Sequence, residues 1–390
     1  MKYILAVILG LVLLFASFGK VGAVVDPRNY PNNRFGIHII SPDDLKDTAT
    51  LVNSSGGDWG YVTLVIREDE RNSKYFQEVF ERMGELHLIP IVRIATKTDK
   101  TGWVKPTDEE IYKWMVFLNS LPWPVANRYI VIGNEVNHAT EWGGEVNPAE
   151  YVLYLEKFSS ALKEVSLDYF VLAAAMDASA PNGKGYMSEE EYLKGMILAD
   201  NNVFNYVDGW NSHSYPNPDF AGSPTQSGKG TVRTFDWELN YLKMMGIDKD
   251  LPVFITETGW AHNMNGQMPY LLVTAKVAEH FKDAFANAWN DSRVVAVTPF
   301  VLSHPNPPFN IFSWKDKSGE FYSFYYDLIN VSKLKGEPEM PVKEILGIFD
   351  SEITDTACVQ EIEQPKKENF LEKYLNFDKI LGLRNIFTRS

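Results

Sequence analysis

The sequence has little of what several classes of protein need. Among its 390 residues it has one cysteine, Cys358, so neither an intrachain disulfide nor a cysteine zinc cluster can form. The formal net charge of −14 argues against nucleic-acid binding, because phosphate recognition needs basic patches. No glycine-rich nucleotide-binding loop follows the first predicted strand. The remaining composition, 45% hydrophobic and 23% charged, is typical of a globular protein.

A long hydrophobic run lies at the N-terminus. Lys2 precedes apolar residues 4–18, and the small-residue pattern Val21-Gly22-Ala23 follows them. This order predicts a signal peptide over residues 1–23 that is cleaved after Ala23. The run is short for a membrane-spanning helix, and an uncleaved anchor is the alternative. We therefore expect a secreted or cell-surface protein.

From residue 34 onward, apolar runs typical of buried strands alternate with helical patterns. The strand candidates are residues 35–40, 61–66, 89–95, 128–135, 170–177, 208–215, 252–260 and 294–303. Between them, residues 147–165 place Tyr151, Leu155 and Phe158 at helical spacing. This alternation implies a parallel sheet, because parallel strands need crossover connections. Eight such units over roughly 300 residues predict an α/β fold, a (β/α)₈ TIM barrel over residues 24–336.

Two long loops and a C-terminal tail stand apart from this alternation. Residues 216–230 follow the sixth strand and residues 304–321 the eighth, and both are rich in Pro, Gly, Ser and Asn. Both are therefore expected at the carboxyl face of the barrel, where barrel active sites lie. Residues 337–390 read as a linker followed by a mildly amphipathic helix at 370–387. This tail is expected to dock on the barrel or on a partner, and contact with a membrane surface is the alternative.

Two of the predicted strands end in a carboxylate. The stretch IVIGNEVNH at 130–138 contains Glu135, and PVFITETGW at 252–260 contains Glu257. A bare buried carboxylate is costly, so such a group usually pairs, accepts hydrogen bonds or shifts its pKa. On the fourth and seventh of eight parallel strands, both fall at the same end of the barrel. Two carboxylates there indicate glycoside hydrolysis, in which one acid protonates the leaving oxygen and a second carboxylate acts on the sugar.

These stretches resemble a known clan. GNEVN on strand four and TETGW on strand seven are similar to the retaining (β/α)₈ glycoside hydrolases of the cellulase, xylanase, mannanase and glucanase type, without pointing to one family. The resemblance covers most of residues 35–330. It implies that Glu135 is the acid/base, that Glu257 is the nucleophile and that Asn134 contacts the sugar 2-hydroxyl. The stretch HSY matches the strand-six motif of the clan, so His213 and Tyr215 are expected to line the site, with Tyr215 hydrogen-bonded to the nucleophile.

The sequence also departs from the clan pattern. Val136 stands where the clan usually has proline, and a local backbone effect is the expected result. The strand-eight tryptophan of the clan is not plainly placed, and Trp314 in the following loop is a candidate substitute. An arginine near the end of an early strand usually braces the nucleophile. Arg67 and Arg93 both qualify, and the sequence does not choose between them.

Further substrate contacts are expected from side chains near the strand ends. An aromatic face matches the apolar CH face of a pyranose ring, so Trp142, Trp260 and Trp314 are candidate stacking platforms, with core packing as the alternative. His38, at strand one, and Asp177, at the end of strand five, are candidate contacts. A hydrogen-bonded core histidine is the alternative for both His38 and His213.

Together these features predict a secreted retaining glycoside hydrolase that cleaves O-glycosidic bonds of an oligo- or polysaccharide, without a cofactor or a metal. A transglycosylase would share every motif. A non-catalytic carbohydrate-binding barrel is a further alternative, against which the presence of both glutamates weighs. A metal-dependent barrel hydrolase is disfavoured, because strand one carries a single histidine rather than a His-x-His pair.

Overall fold

The computed structural model describes residues 24–100, 102–262 and 271–342. The predicted signal peptide and the predicted helix at 370–387 lie outside these residues. Within them, no helix has both the length and the apolar character needed to cross a membrane.

Eight barrel strands alternate with eight α-helices in the described residues. The strands are β1 Gly36–Ile39, β2 Gly60–Arg67, β3 Leu88–Ala95, β4 Arg128–Ile132, β5 Tyr169–Ala173, β6 Trp210–His213, β7 Val253–Glu257 and β8 Val294–Val297. The helices are α1 Leu45–Val52, α2 Ser73–Glu85, α3 Asp108–Asn119, α4 Pro148–Val165, α5 Glu189–Ala199, α6 Thr234–Met244, α7 Thr274–Ala286 and α8 Ser323–Ile329. A short hairpin, Thr98–Asp99 with Gly102–Trp103, follows β3.

The strands form two parallel sheets that meet at both edges. Strands β1 to β5 pair in sequence order in one sheet, and β6 to β8 pair in the other. A parallel bridge between Leu172 and Gly209 joins β5 to the start of β6, and one between Phe35 and Val297 joins the start of β1 to β8. The ring of strands is closed, and the predicted (β/α)₈ fold is confirmed.

Several strands end earlier than their apolar runs. The run at 252–260 leaves the ladder after Glu257, and the run at 294–303 leaves it after Val297. The residues beyond are still buried, since Trp260 is 2% exposed and Leu302 is fully buried. The apolar runs therefore mark burial beneath the loops as well as strand pairing, and this is why they overestimate strand length.

Alternate strand residues face the helices and the barrel interior. On β2, Val62 and Leu64 join the layer between strands and helices, whereas Thr63 reaches across the interior to hydrogen-bond Thr298 at 2.7 Å. Four rings fill the amino-terminal half of the interior with centroid separations from 5.0 to 6.4 Å: Tyr61, Tyr129, Phe170 and Phe254. Because this aromatic plug closes one end, the carboxyl end is left for a ligand.

After α8 the chain returns to the amino-terminal face of the barrel. The Glu337 N–H donates to the carbonyl of Pro31, and the Ala126 N–H donates to the carbonyl of Glu339, both at 2.8 Å. The segment after α8 therefore still contacts the barrel at Glu339, three residues beyond the predicted boundary at residue 336.

Candidate active site

A cleft of about 630 Å³ opens at the carboxyl ends of the strands. Side chains from all eight strands or from the segments that follow them line it. Both predicted long loops contribute, with Asn217 and Phe220 from the loop after β6 and Phe309 and Phe312 from the loop after β8. The volume lies in the usual range of ligand sites, and its position is that of active sites in this fold.

The backbone of Glu135 is held in an unusual conformation. Its φ of 34° lies in the left-handed region, which non-glycine residues rarely adopt. The Glu135 N–H donates to the carbonyl of Ala175, and the Glu135 carbonyl accepts from the His138 N–H, both at 2.8 Å. Val136, in the place of the clan's proline, is fully buried. These contacts hold the turn after β4 with Glu135 at the cleft wall, and strain of this kind clusters at functional sites.

The two predicted catalytic carboxylates face each other. One oxygen of Glu135 and one of Glu257 lie within 4.8 Å of each other, and a ring nitrogen of His213 lies within that distance of both. His213 Nδ1 is 2.9 Å from Oε1 of Glu135 and 3.9 Å from Oε2 of Glu257. The fold thus brings together residues that lie 122 positions apart in the sequence.

Glu257 is surrounded by groups that favour its ionised form. Arg93 Nη1 donates to its Oε1 at 2.8 Å, and the Tyr215 hydroxyl donates to its Oε2 at 3.1 Å. Burial alone would raise the pKa of Glu257, but the positive charges of His213 and Arg93 outweigh burial and hold this pKa below its usual value. Glu257 is therefore an ionised carboxylate at neutral pH, as a nucleophile must be.

The structure chooses between the two candidate arginines. Arg93, on β3, contacts both Glu257 and the amide oxygen of Asn134. Arg67, at the end of β2, lies at the cleft rim, where its guanidinium is 2.5 Å from Asp69 and 3.6 Å from Glu70. Arg93 is thus in the position to brace Glu257, and Arg67 is not.

His213 lies between the two glutamates, and both of them affect the pKa of its imidazole. Burial would lower the pKa of its imidazole, but the charge of Glu257 and the hydrogen bond to Glu135 raise this pKa above its usual value. A positive charge on His213 offsets the charge of Glu257, so the two groups can remain side by side in one enclosed site.

Asp177 lies at the cleft wall and is already paired. Its Oδ2 is 3.0 Å from Nε2 of His138, and its N–H donates to Oδ1 of Asn137 at 3.1 Å. The pKa of His138, which burial would lower, is raised by the hydrogen bond to Asp177 and the charge of Glu135. His138 was not predicted as a site residue, yet it lines the cleft beside Glu135.

His38 does not reach the cleft, which corrects its prediction as a direct substrate contact. Its side chain is fully buried, with Nε2 3.9 Å from Oε1 of Glu257. Within the described part of the chain, neither of its ring nitrogens has a hydrogen-bond partner. Burial lowers the pKa of His38 to about 3, so the ring is neutral beneath Glu257.

The prediction that three tryptophans stack on the sugar is wrong. Trp142, Trp260 and Trp314 are each 2% exposed and belong to the core between strands and helices, not to the cleft wall. Trp260 packs edge-on against Phe281, and its indole donates to the carbonyl of Gly222 at 2.8 Å. Each indole is almost completely buried, so the alternative of core packing holds for all three.

Other aromatic side chains line the cleft instead. They are Trp103, Phe220, Phe300, Phe309 and Phe312, besides Tyr215. Phe300 follows β8, near the place where the clan has its tryptophan, and three others lie in the two predicted loops. Trp103 is in the short hairpin after β3, whose strands are too short to give a periodic pattern, so the sequence contained no signal for it.

Glu141 is a further carboxyl group in the cleft that sequence reasoning missed. It lies in the short 3₁₀ turn Ala139–Glu141, and its Oε2 accepts a hydrogen bond from Nδ2 of Asn134 at 3.2 Å. Burial raises the pKa of Glu141 to about 7. No motif marks it, because its place depends on the path of the loop after β4.

The geometry of one cluster would also allow a metal ion. Glu135, His213 and Glu257 offer three ligand atoms close to one another. The guanidinium of Arg93, however, already lies 2.8 Å from Glu257. A positive charge in that place counts against a second cation on the same carboxylate.

No protein-family model matches the chain, and no curated protein is significantly similar to it in sequence. Solved structures do match. A GH39 β-xylosidase from Caulobacter crescentus aligns with 13% identity over 77% of this chain and 71% of its own, with a TM-score of 0.53. GH5_18 from Bifidobacterium longum subsp. infantis aligns with 14% identity over 77% and 78%, with a TM-score of 0.52. A variant of GH5_18 from Streptomyces cattleya, in complex with Manβ1-4GlcNAc, aligns with 13% identity over 77% and 80%, with a TM-score of 0.52.

These likenesses establish the fold. The chain has the (β/α)₈ architecture found in glycoside hydrolases of these families, as the resemblance of GNEVN and TETGW implied.

Proposed function

We propose that the protein is a retaining glycoside hydrolase that cleaves O-glycosidic bonds of an oligo- or polysaccharide by double displacement. One observation carries the proposal: Glu135 and Glu257 face each other in the cleft with oxygens within 4.8 Å. Retaining enzymes hold their two carboxyl groups about 5–5.5 Å apart, and inverting enzymes about 6.5–9.5 Å apart. The short separation supports attack by Glu257 itself, without a water between carboxylate and sugar.

In the first step, a carboxylate oxygen of Glu257 attacks the anomeric carbon and forms a glycosyl ester. The bond to the leaving oxygen breaks, and that oxygen takes the proton of the Glu135 carboxyl group. Arg93 and Tyr215 each donate a hydrogen bond to Glu257 and fix its direction of attack. His213 is hydrogen-bonded to Glu135 and holds the carboxyl group of this acid in place.

In the second step, Glu135 acts as the base. It removes a proton from a water molecule, the water oxygen attacks the anomeric carbon, and the ester bond to Glu257 breaks. Two inversions at the same carbon give net retention. A transglycosylase would differ only in using a sugar hydroxyl in place of this water.

The cleft lining supports a carbohydrate substrate. Aromatic faces such as those of Trp103 and Phe300 suit the CH faces of sugar rings, and Asp177 and Asn217 offer polar groups for hydroxyls. Fold neighbours with a β-xylosidase activity and with a bound disaccharide support the same class. A protein that only bound sugar would not need an ionised Glu257 braced by Arg93.

We also propose that the protein acts outside the cytoplasm, on the basis of the signal-peptide pattern of residues 1–23. Expression in a host with a secretory pathway should yield protein in the medium or on the cell surface. N-terminal sequencing should find a start at Val24 if cleavage follows Ala23. Retention of the full chain in the cytoplasm would refute the export proposal.

The direct test of activity is a panel of aryl β-glycosides and β-glycans, incubated with the purified protein and with Glu257→Gln as the matched control. The amide is the same size as the carboxylate but cannot form the glycosyl ester. We expect release of phenol or reducing sugar from at least one substrate by the wild type and none by the variant. Equal release by both, or none by the wild type across the panel, would contradict the proposal.

A further inference from the structure

We propose that Glu141 is a positioning residue for the glycosidase reaction, which holds the Asn134 amide in the one orientation that can serve a substrate hydroxyl. The inference rests on the proposed function. It concerns a carboxyl group that no motif marked and that the two catalytic steps do not use.

The orientation of the Asn134 amide follows from its two neighbours. Arg93 Nη1 donates to Oδ1 of Asn134 as well as to Glu257. A guanidinium has no acceptor, so the amide atom that faces Arg93 must be the oxygen. The amide nitrogen then faces Glu141, whose Oε2 accepts at 3.2 Å. A flipped amide would lose both hydrogen bonds, and the pair of neighbours therefore fixes the orientation.

This clamp leaves Asn134 with one donor to spare. Its amide nitrogen carries two N–H groups, of which Glu141 takes one. Asn134 itself lines the cleft beside Glu135, so the second N–H is available to an oxygen of the substrate. Without Glu141 the amide of Asn134 keeps only its hydrogen bond to Arg93, and its NH₂ group is no longer held in one direction. The spare N–H would then be presented to the substrate for only part of the time.

Glu141 is well placed for this work because its own turn is fixed. The Glu141 N–H donates to the carbonyl of His138 at 3.1 Å, and the next residue, Trp142, is buried in the core. Either protonation state of the carboxyl leaves an oxygen that can accept from Asn134. The role therefore needs an acceptor at this position and not a charge, which separates Glu141 from the two catalytic glutamates.

The structure supplies the variants for a test. Glu141→Gln keeps an acceptor, Glu141→Met removes it at similar length, and Glu145→Met is a matched control in the same loop. Glu145 is exposed and pairs with Lys105 at 3.1 Å, outside the catalytic machinery. Melting curves identify any variant that fails to fold, and Glu141→Ala is the replacement if the methionine variant does.

The measurement is kcat/KM on the best substrate and on its monodeoxy analogues, in the wild-type and Asn134→Ala backgrounds. We expect Glu141→Gln and Glu145→Met to stay within about threefold of the wild type, and Glu141→Met to lose about tenfold or more, the size of one oriented hydrogen bond. The loss should disappear on one deoxy analogue, the same analogue on which Asn134→Ala has no effect. In the Asn134→Ala background, Glu141→Met should cost nothing further.

A loss that is equal on every analogue, or that adds to the loss of Asn134→Ala, would overturn the positioning role while leaving the glycosidase in place. A wild type that hydrolyses no glycoside would overturn the proposed function and this inference with it. The two failures are therefore distinguishable.

Discussion

Nη1 of Arg93 lies 2.8 Å from Oε1 of Glu257 and also donates to the amide oxygen of Asn134. One side chain from β3 thus joins the ends of β4 and β7, which carry the two proposed catalytic carboxylates. The positive charge of Arg93 lies beside Glu257, which must be ionised to act as a nucleophile. The hydrogen bond to Asn134 orients the residue that precedes Glu135.

Removal of Arg93 should move the acidic limb of the pH–rate profile. The pKa of Glu257, which burial would raise, is held low by His213 and Arg93. Arg93→Met therefore raises the pKa of Glu257, and activity should be lost at a higher pH on acidification, with kcat/KM at the optimum about 100-fold lower. In the control Arg67→Met the acidic limb should stay in place. A limb that moves in the Arg67 variant and not in the Arg93 variant would contradict the assignment.

Removal of the nucleophile should stop turnover with every substrate. Glu257→Gln keeps the size of the side chain and its contact with Tyr215, but the amide does not form a glycosyl ester. We expect kcat to fall by about 10⁴-fold or more, whatever the leaving group. Steady-state assays on aryl glycosides with good and poor leaving groups check this. A loss confined to poor leaving groups would give Glu257 the role of the acid.

Removal of the acid should have a selective effect. Glu135→Ala spares the first step for substrates with good leaving groups, because these need little protonation. The second step lacks its base, so the glycosyl-enzyme should accumulate, and added azide should restore turnover with formation of a glycosyl azide. Product analysis by mass spectrometry checks this. Equal loss on all leaving groups, without azide rescue, would assign Glu135 a different task.

The core tryptophans and the cleft aromatics should respond differently to substitution. Trp260→Phe leaves a gap in the core and loses the hydrogen bond to Gly222, so we expect about 1–3 kcal/mol of destabilisation with KM unchanged. Phe309 is 44% exposed at the cleft, so Phe309→Ala should raise KM with little change in melting temperature. Thermal melts and kinetics on the same preparations separate the two effects. A raised KM for Trp260→Phe with unchanged stability would instead place Trp260 in the substrate site.

A second pair of glutamates should make stability depend on pH. Glu189 on α5 and Glu238 on α6 are fully buried, and of their four carboxyl oxygens only Oε2 of Glu238 has a donor, Trp210, among the described residues. Burial, together with the neighbouring carboxyl, raises the pKa of Glu189 well above its usual value, and burial raises that of Glu238. The folded state then binds more protons than the unfolded state. The stabilisation is complete below the unfolded pKa and is lost as pH rises through the folded values.

Glu189→Gln replaces the carboxyl group of Glu189 with an amide, whose N–H can donate to Glu238 at every pH. The variant should therefore lose less stability than the wild type between pH 5 and 9, and be about 1–3 kcal/mol more stable than the wild type at the alkaline end. Urea unfolding at several pH values measures this, with the exposed Glu191→Gln on the same helix as the control. Parallel pH curves for the wild type and Glu189→Gln would contradict the account in which protonation of this buried pair stabilises the folded state.

The strand pattern of the sequence was enough to predict the barrel and the end of it that carries the site. Strand and helix periods are properties of neighbouring residues, and eight strand–helix units over roughly 300 residues are typical of a (β/α)₈ barrel. Glu135 and Glu257 were predicted because both are carboxylates at the same end of the barrel, on strands four and seven, and because GNEVN and TETGW resemble the motifs of the clan. The sequence could name Arg93 as a candidate, but only the closed ring shows that β3 faces β7 across the interior.

The cleft walls could not be predicted in the same way. Trp260 and Phe300 both lie three residues beyond a barrel strand, yet Trp260 turns into the core and Phe300 turns to the cleft. Beyond the ladder, side-chain direction depends on the path of each loop, which periodicity does not encode. Glu141 and Trp103 lie in such segments, and for this reason no sequence pattern distinguishes them.

Trapping of the glycosyl-enzyme tests the central claim most directly. The protein is incubated with an activated 2-deoxy-2-fluoro glycoside of its best sugar, digested, and its peptides are analysed by mass spectrometry. We expect one fluoroglycosyl adduct, on Glu257, in the wild type, and no adduct in Glu257→Gln. An adduct on Glu135 or on another carboxylate, or rapid release of a product of inverted configuration without any adduct, would contradict double displacement through Glu257.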